Sequence, residues 1–348
     1  MRHSPPPAAS RRNDQIDTLR AIACISLVAF HVVGSSSGSG LELDPDHWMA
    51  RANLALVDLR MPLFSFLSGM VLPALAGPPW PQIARKARRL LVPMAAVGTV
   101  FWLARHAMGY EQMPLTRIFW LPYAHFWFLQ ATFLIMAAFY LGSALSGGRA
   151  VLTAALIGVL GAALYISPFR LDQNVFSVMQ AWKLAPFFAA GFLVATLRPR
   201  RLFAARRTVA AAGVAGAFAV GALLAAHPDA VTGTGRRAVS IALGLTFCLC
   251  LLALRPGSAA MARLGRQSYP VYLFHVFFTA GMLKLVGTLL PGAPVPMAFA
   301  LALAAGLAGP ILLAQALSRH RVTALAFLGV SRRPPAARPR PEADVTFT

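Results

Sequence analysis

Read along the chain, apolar residues come in long unbroken runs, not in the alternating or one-sided patterns of a water-soluble fold. Runs near 16–35, 56–76, 90–108, 120–142, 151–167, 181–197, 208–226, 238–254, 269–290 and 296–317 each approach the roughly 20 residues that an α-helix needs to cross a bilayer. They are continuous in hydrophobicity and too long for strands, which argues against a closed barrel. The pattern predicts an all-α membrane protein, a polytopic bundle of about ten transmembrane helices, with the membrane domain over residues 14–320. Residues 1–13 and 321–348 carry prolines and arginines without apolar periodicity and are expected as disordered tails.

Composition agrees with this reading. With 57% hydrophobic and 12% charged residues and a mean hydropathy of +0.63, the chain holds more apolar surface than one water-soluble core can hide. A net charge of +21 would suit nucleic acid if it covered a soluble face, but the cations sit between the hydrophobic runs. Placing both termini in the cytoplasm puts most Lys and Arg on the inner side, among them Arg85, Lys86, Arg88, Arg89, Arg263 and Arg266. Arg51, Arg117, Arg170, Arg236 and Arg237 are left outside. The bias follows the positive-inside rule, so the expected partners are membrane lipids of the cytoplasmic (inner) membrane, and no nucleic acid is needed. Cys24, Cys248 and Cys250 all lie in apolar runs, so neither a disulfide nor a metal site is expected.

Ionisable residues inside the runs carry the functional signal, because each costs free energy in hydrocarbon. Asp17, Arg20 and His31 in the first run argue against a cleaved signal peptide. Arg20 and His31 are eleven residues apart, which places them within roughly 20° on one helical face and about 16 Å apart along the axis. Asp17 is spaced to hold Arg20. Asp58 and Arg60 open the second run at the level where His31 ends. A carboxylate there could orient the imidazole for general-base work, or simply pair with Arg60.

Arg85, Lys86, Arg88 and Arg89 form a cluster suited to a donor with several phosphates, or to ordinary anchoring at the inner surface. His125 and Trp127 open the fourth run, as an acceptor contact or as part of an aromatic belt. His275 lies near the cytoplasmic end of the ninth, as a donor contact or an internal hydrogen-bonding group. Gly34 to Gly38 formally matches a nucleophile elbow but lacks the preceding strand, so it reads as a loop.

Five stretches, taken in order, resemble acyltransferase family 3. Ile16-Asp17-Thr18-Leu19-Arg20 with His31 resembles its first-helix Arg and His motif, and Met61-Pro62-Leu63-Phe64 through Ser68-Gly69 its second helix. Arg85 to Pro93 resembles its basic loop, Trp127-Phe128-Leu129 its fourth helix, and Leu264-Gly265-Arg266-Gln267-Ser268-Tyr269 through His275 its late motif.

The resemblance implies a cytoplasmic acyl-CoA donor, with acetyl-CoA the expected one, and an essential first-helix His. Arg20, Arg85, Lys86, Arg88, Arg89 and His275 then become expected donor contacts. His31, with Arg20, Asp58 and Arg60, becomes the expected catalytic set, and His125 and Trp127 expected contacts of a hydroxyl acceptor on a glycan, glycolipid or small molecule. His31 would act as base or as transient acyl carrier. Two other readings compete. A secondary transporter of an anionic sugar or lipid intermediate would also bury Arg, His and Asp, but would favour internal symmetry that this chain lacks. A non-catalytic scaffold would leave Arg20 and His31 without purpose.

Overall fold

The computed structural model describes residues 14–34, 39–74, 77–198 and 206–330. Most of the Gly34 to Gly38 loop and the terminal stretches 1–13 and 331–348 lie outside the described residues. Every regular element within them is helical: α1 (Asp14–Val33), α2 (Trp48–Ala55), α3 (Arg60–Met70), α4 (Pro79–Ala107), α5 (Trp127–Leu145), α6 (Ala150–Ile166), α7 (Val178–Leu197), α8 (Arg207–Ala226), α9 (Gly233–Ala253), α10 (Ala259–Gly265), α11 (Ser268–Leu289), α12 (Val295–Leu317) and α13 (Arg321–Leu328). Eight of these are long and apolar enough to cross a membrane. The protein is an all-α, multi-pass integral membrane protein. Large apolar side chains such as Leu156, Val159 and Leu160 on α6, Leu223 on α8 and Leu312 on α12 are exposed, as a lipid-facing surface requires.

Two of the ten expected spans are shorter. α6 has 17 residues. α3 has only 11, or about 16 Å of helix, because Asp58 and Arg60 hold its start in polar contacts and Pro73 follows its end. α3 is instead an internal helix: Leu63, Phe66 and Leu67 are buried, and it packs on α1, α7 and α9. Glycine allows the closest of these contacts. A Cβ on Gly69 would fall 2.0 Å from the Phe188 carbonyl oxygen, and one on Gly191 would fall 1.9 Å from that of Phe66. Outside this core, α2 runs along the surface with Trp48 and Leu54 exposed.

The short helix α10 sets the depth of α11. It lies against α1 so closely that a Cβ on Gly265 would meet the Asp17 carbonyl oxygen at 1.7 Å. α11 therefore begins level with Cys24, whose thiol lies 3.7 Å from the Ser268 carbonyl oxygen. This carries His275 up to the level of His31, away from the cytoplasmic end where the sequence placed it.

Residues 321–328, assigned to the C-terminal tail from sequence, form helix α13 on the flank of α4. Ala324 and Leu328 are buried one turn apart, and Gly329 closes the helix in the left-handed region at φ 63°, where a side chain would be strained. The Arg89 guanidinium donates to the Leu328 carbonyl oxygen and stacks 4.1 Å over the Tyr269 ring, while the Tyr269 hydroxyl donates to the Arg89 carbonyl. A hydrogen bond from a charged donor contributes about 1.5–3 kcal/mol. Arg89→Gln should therefore speed amide exchange over residues 325–330 by about tenfold or more; unchanged exchange would show that the cap contributes nothing.

Candidate active site

At one end of α1, the Arg20 guanidinium donates to Asp17 at 2.8 Å. Arg266, at the end of α10, approaches Asp17 at 3.8 Å and Asp14 at 3.7 Å. Asp17 is buried and Arg20 half-buried, with 29% of its side chain exposed. The expected pair is thus formed, and a third residue from the late motif joins it. On α4, Arg85 and Arg88 are exposed, Lys86 is half-buried, and Arg89 is committed to capping α13.

Three turns further along, α1 presents His31 to two other imidazoles. Ring centroids lie 4.8 Å apart for His31 and His275, 5.0 Å for His125 and His275, and 6.0 Å for His31 and His125. The three residues come from α1, the segment before α5, and α11. Tyr272 helps bring them together, because its hydroxyl donates to the His125 carbonyl oxygen.

Hydrogen bonding fixes the ring tautomers of the two flanking residues. His275 Nδ1 faces the carbonyl oxygens of Val271 at 3.0 Å and Tyr272 at 2.9 Å. A carbonyl only accepts, so Nδ1 carries the proton and Nε2 of the neutral ring keeps its lone pair. In the same way His125 Nε2 faces the Leu273 carbonyl at 3.4 Å, which leaves Nδ1 as the acceptor. Those remaining atoms, His275 Nε2 and His125 Nδ1, are both buried without a partner among the described residues. Of the two rings with vacant lone pairs, His275 stands at 4.8 Å from His31, near the roughly 5 Å that an N–H···N bond between imidazoles needs, and His125 stands farther off at 6.0 Å. Among the described residues, no set of three or more His, Cys, Asp or Glu converges as metal ligands would.

His31 and His125 line a cavity of about 680 Å³, together with Phe30, Arg60, Phe101 and Trp127. Arg105, Glu111, Tyr123 and Lys183 also border it. Arg60 is only 4% exposed; it donates to Asn53 Oδ1 at 2.7 Å and lies 3.9 Å over the Phe30 ring. The Asn53 amide in turn donates to the Gly34 carbonyl at 3.2 Å, so α2 fixes the guanidinium against α1. Beyond the end of α4, burial pushes the Glu111 carboxyl up, but hydrogen bonds from Tyr123 at 2.7 Å, the Met113 N–H at 3.0 Å and Arg105 at 3.3 Å outweigh it and hold the group below its ordinary range.

Asp58 does not orient His31. Its carboxylate accepts from Ser240 at 2.7 Å and Arg236 at 2.5 Å on α9, with Lys183 of α7 at 3.4 Å. Two residues of helical turn separate Asp58 from Arg60 by roughly 200°, so the arginine points to the cavity wall and the aspartate to α9. The structure therefore unites His31, Arg60, His125 and Trp127 as expected and adds His275 to them. Asn53, Arg105 and Glu111 escaped the sequence reading because they lie outside or at the edge of the apolar runs, where a polar residue carries no signal.

Neither a curated protein nor a solved structure matches this sequence. A family model described as an acyltransferase domain matches residues 13–315. That match extends from just before α1 into the last turn of α12 and includes every residue of the cavity; the chain belongs to acyltransferase family 3 and is a membrane acyltransferase.

Proposed function

We propose that the protein transfers an acyl group, acetyl in the simplest case, from cytoplasmic acyl-CoA to a hydroxyl of a glycan, glycolipid or small molecule, in the cytoplasmic (inner) membrane. The observation that carries this reading is His31 standing between two buried imidazoles on the wall of a large cavity. In the proposed reaction His31 takes the proton of the acceptor hydroxyl, whose oxygen attacks the thioester carbonyl carbon. The C–O bond forms, the C–S bond breaks, and the CoA thiolate leaves with the proton that His31 received. Arg60, fixed by Asn53 and Phe30, supplies positive charge for the oxyanion. Arg20 with the exposed Arg85 and Arg88 would hold the donor phosphates at the other end of α1, and the roughly 16 Å of helix between Arg20 and His31 is a span that the pantetheine arm must bridge.

In this scheme His275 is a positioning residue in place of the donor contact expected from sequence. In the reaction its free Nε2 would accept the His31 N–H and so turn the other ring nitrogen of His31 toward the cavity. His275→Phe should lower transfer by on the order of tenfold to a hundredfold, part of the 10²–10⁴ that a general base contributes, with the KM for the acceptor little changed. His275→Gln, which retains an acceptor, should recover part of that loss; equal activity in the two variants would remove the role. The reaction itself is tested by incubating membranes with labelled acetyl-CoA and candidate acceptors. Label on the acceptor supports the enzyme, whereas passage of an unmodified solute across the membrane without labelling would support a transporter.

A further inference from the structure

The wall of the cavity is more positive than its own carboxylates can neutralise. Arg105 and Glu111 pair one to one. Asp58, by contrast, serves two cations, and its short contacts go to Arg236 at 2.5 Å and Ser240 at 2.7 Å. Lys183 is the loosest of its partners at 3.4 Å. A lysine ammonium has three N–H donors, and this one borders the cavity on its other side. Arg60 has no carboxylate within ion-pair distance among the described residues. Among the described residues, the cavity wall itself thus carries Arg60, Arg105 and Lys183 against Glu111 alone, and Asp58, just outside the wall, is shared between Lys183 and Arg236. The unpaired charge at Arg60 serves the oxyanion in the reaction above, but the second surplus charge, at Lys183, has no part in moving an acyl group.

Building on the acyl-transfer reading of this cavity, we infer that the acceptor carries an anionic group, a carboxylate or a phosphate, and that Lys183 holds it so that a nearby hydroxyl reaches His31. The ammonium suits either group, because as a compact point charge it does not demand the planar fork geometry that arginine matches. Donor phosphates are a less fitting occupant. Arg105, at the cavity border, is sixteen residues along α4 from Arg89, or roughly 24 Å, and the exposed basic cluster lies at that far end.

The test compares three probes on the purified, detergent-solubilised protein: methyl glucoside, methyl glucuronide and methyl glucoside 6-phosphate, with binding read from isothermal titration calorimetry and from thermal stabilisation. Both acids should bind about tenfold tighter than the neutral sugar or better, as a charge-assisted hydrogen bond allows, and binding of one acid alone identifies which group Lys183 takes. Lys183→Gln should erase the preference. Asp58→Asn should strengthen it, since the lysine is released from its competitor; a merely structural role would weaken binding in both variants. Equal binding of neutral and acidic probes, failure of both acids to bind at millimolar concentration, a preference that survives Lys183→Gln, or a fall in acid affinity in Asp58→Asn would each overturn the inference. Displacement of the acids by CoA would also do so, by giving the cation to the donor. Acid-selective binding upholds it whether or not label is transferred, and missing transfer counts against the acetyl-transfer reading alone.

Discussion

Membranes carrying His31→Ala should transfer acetyl label from acetyl-CoA at least a hundredfold more slowly than wild type, at equal protein level, because a general base contributes roughly 10²–10⁴ to the rate. The expected loss is large because the group is hard to replace. His125 and His275 neighbour His31 at ring spacings of 6.0 and 4.8 Å, but each has one ring nitrogen turned to a backbone carbonyl. His275 is 0% exposed and does not line the cavity. The loss should fall on kcat, with donor binding retained at Arg20 and the exposed arginines of α4. Rapid denaturation at neutral pH, in the absence of acceptor, separates the two chemical routes: label retained on wild-type protein and missing from His31→Ala identifies an acyl-imidazole, whereas label found only on an acceptor added before denaturation supports a base. Activity within a few-fold of wild type in a variant that still inserts would remove His31 from the chemistry.

Gly265→Leu should be the most damaging substitution away from the cavity. A Cβ at this position would lie 1.7 Å from the Asp17 carbonyl oxygen, 2.6 Å from its carbon and 3.1 Å from the Ala21 nitrogen. All three are backbone atoms of α1, so no side-chain rotation relieves the clash. Overpacking costs typically 1–3 kcal/mol where side chains can give way, and about that much or more is expected here. If the protein survives, α10 must move outward and carry α11 with it, which separates His275 from His31. The variant should lose thermal stability in detergent, and any folded fraction should resemble His275→Phe in activity. Gly281→Leu is the matched control, since among the described residues nothing lies within 4 Å of its added Cβ. Equal stability of the two variants would mean that α10 does not pack as described.

The membrane character, the helical architecture and the pairing of Asp17 with Arg20 could be read from the sequence because each rests on local signals: run length, hydropathy and i, i+3 spacing. The alignment of Arg20 and His31 along α1 came from the same periodicity. What could not be read depends on how helices sit beside one another. The depth of His275 is set by α10, a seven-residue element too short to register in a hydropathy pattern. The partners of Asp58 come from α7 and α9, more than a hundred residues away in the chain. The brevity of α3 was hidden because an internal helix and a membrane-spanning one are equally apolar. The helix at 321–328 escaped notice because its neighbours in sequence are polar and its buried face is two residues wide.

The hydrogen bond from Arg60 to Asn53 joins the reacting cavity to α2, the eight-residue helix whose Trp48 and Leu54 are exposed. We expect an element of that size at the surface of the bundle to lie at the membrane interface, where its height would follow the thickness of the surrounding leaflet. Bilayer composition would then be coupled to the proposed chemistry through the Asn53 amide, and turnover should vary with the length of the lipids in which the protein is reconstituted.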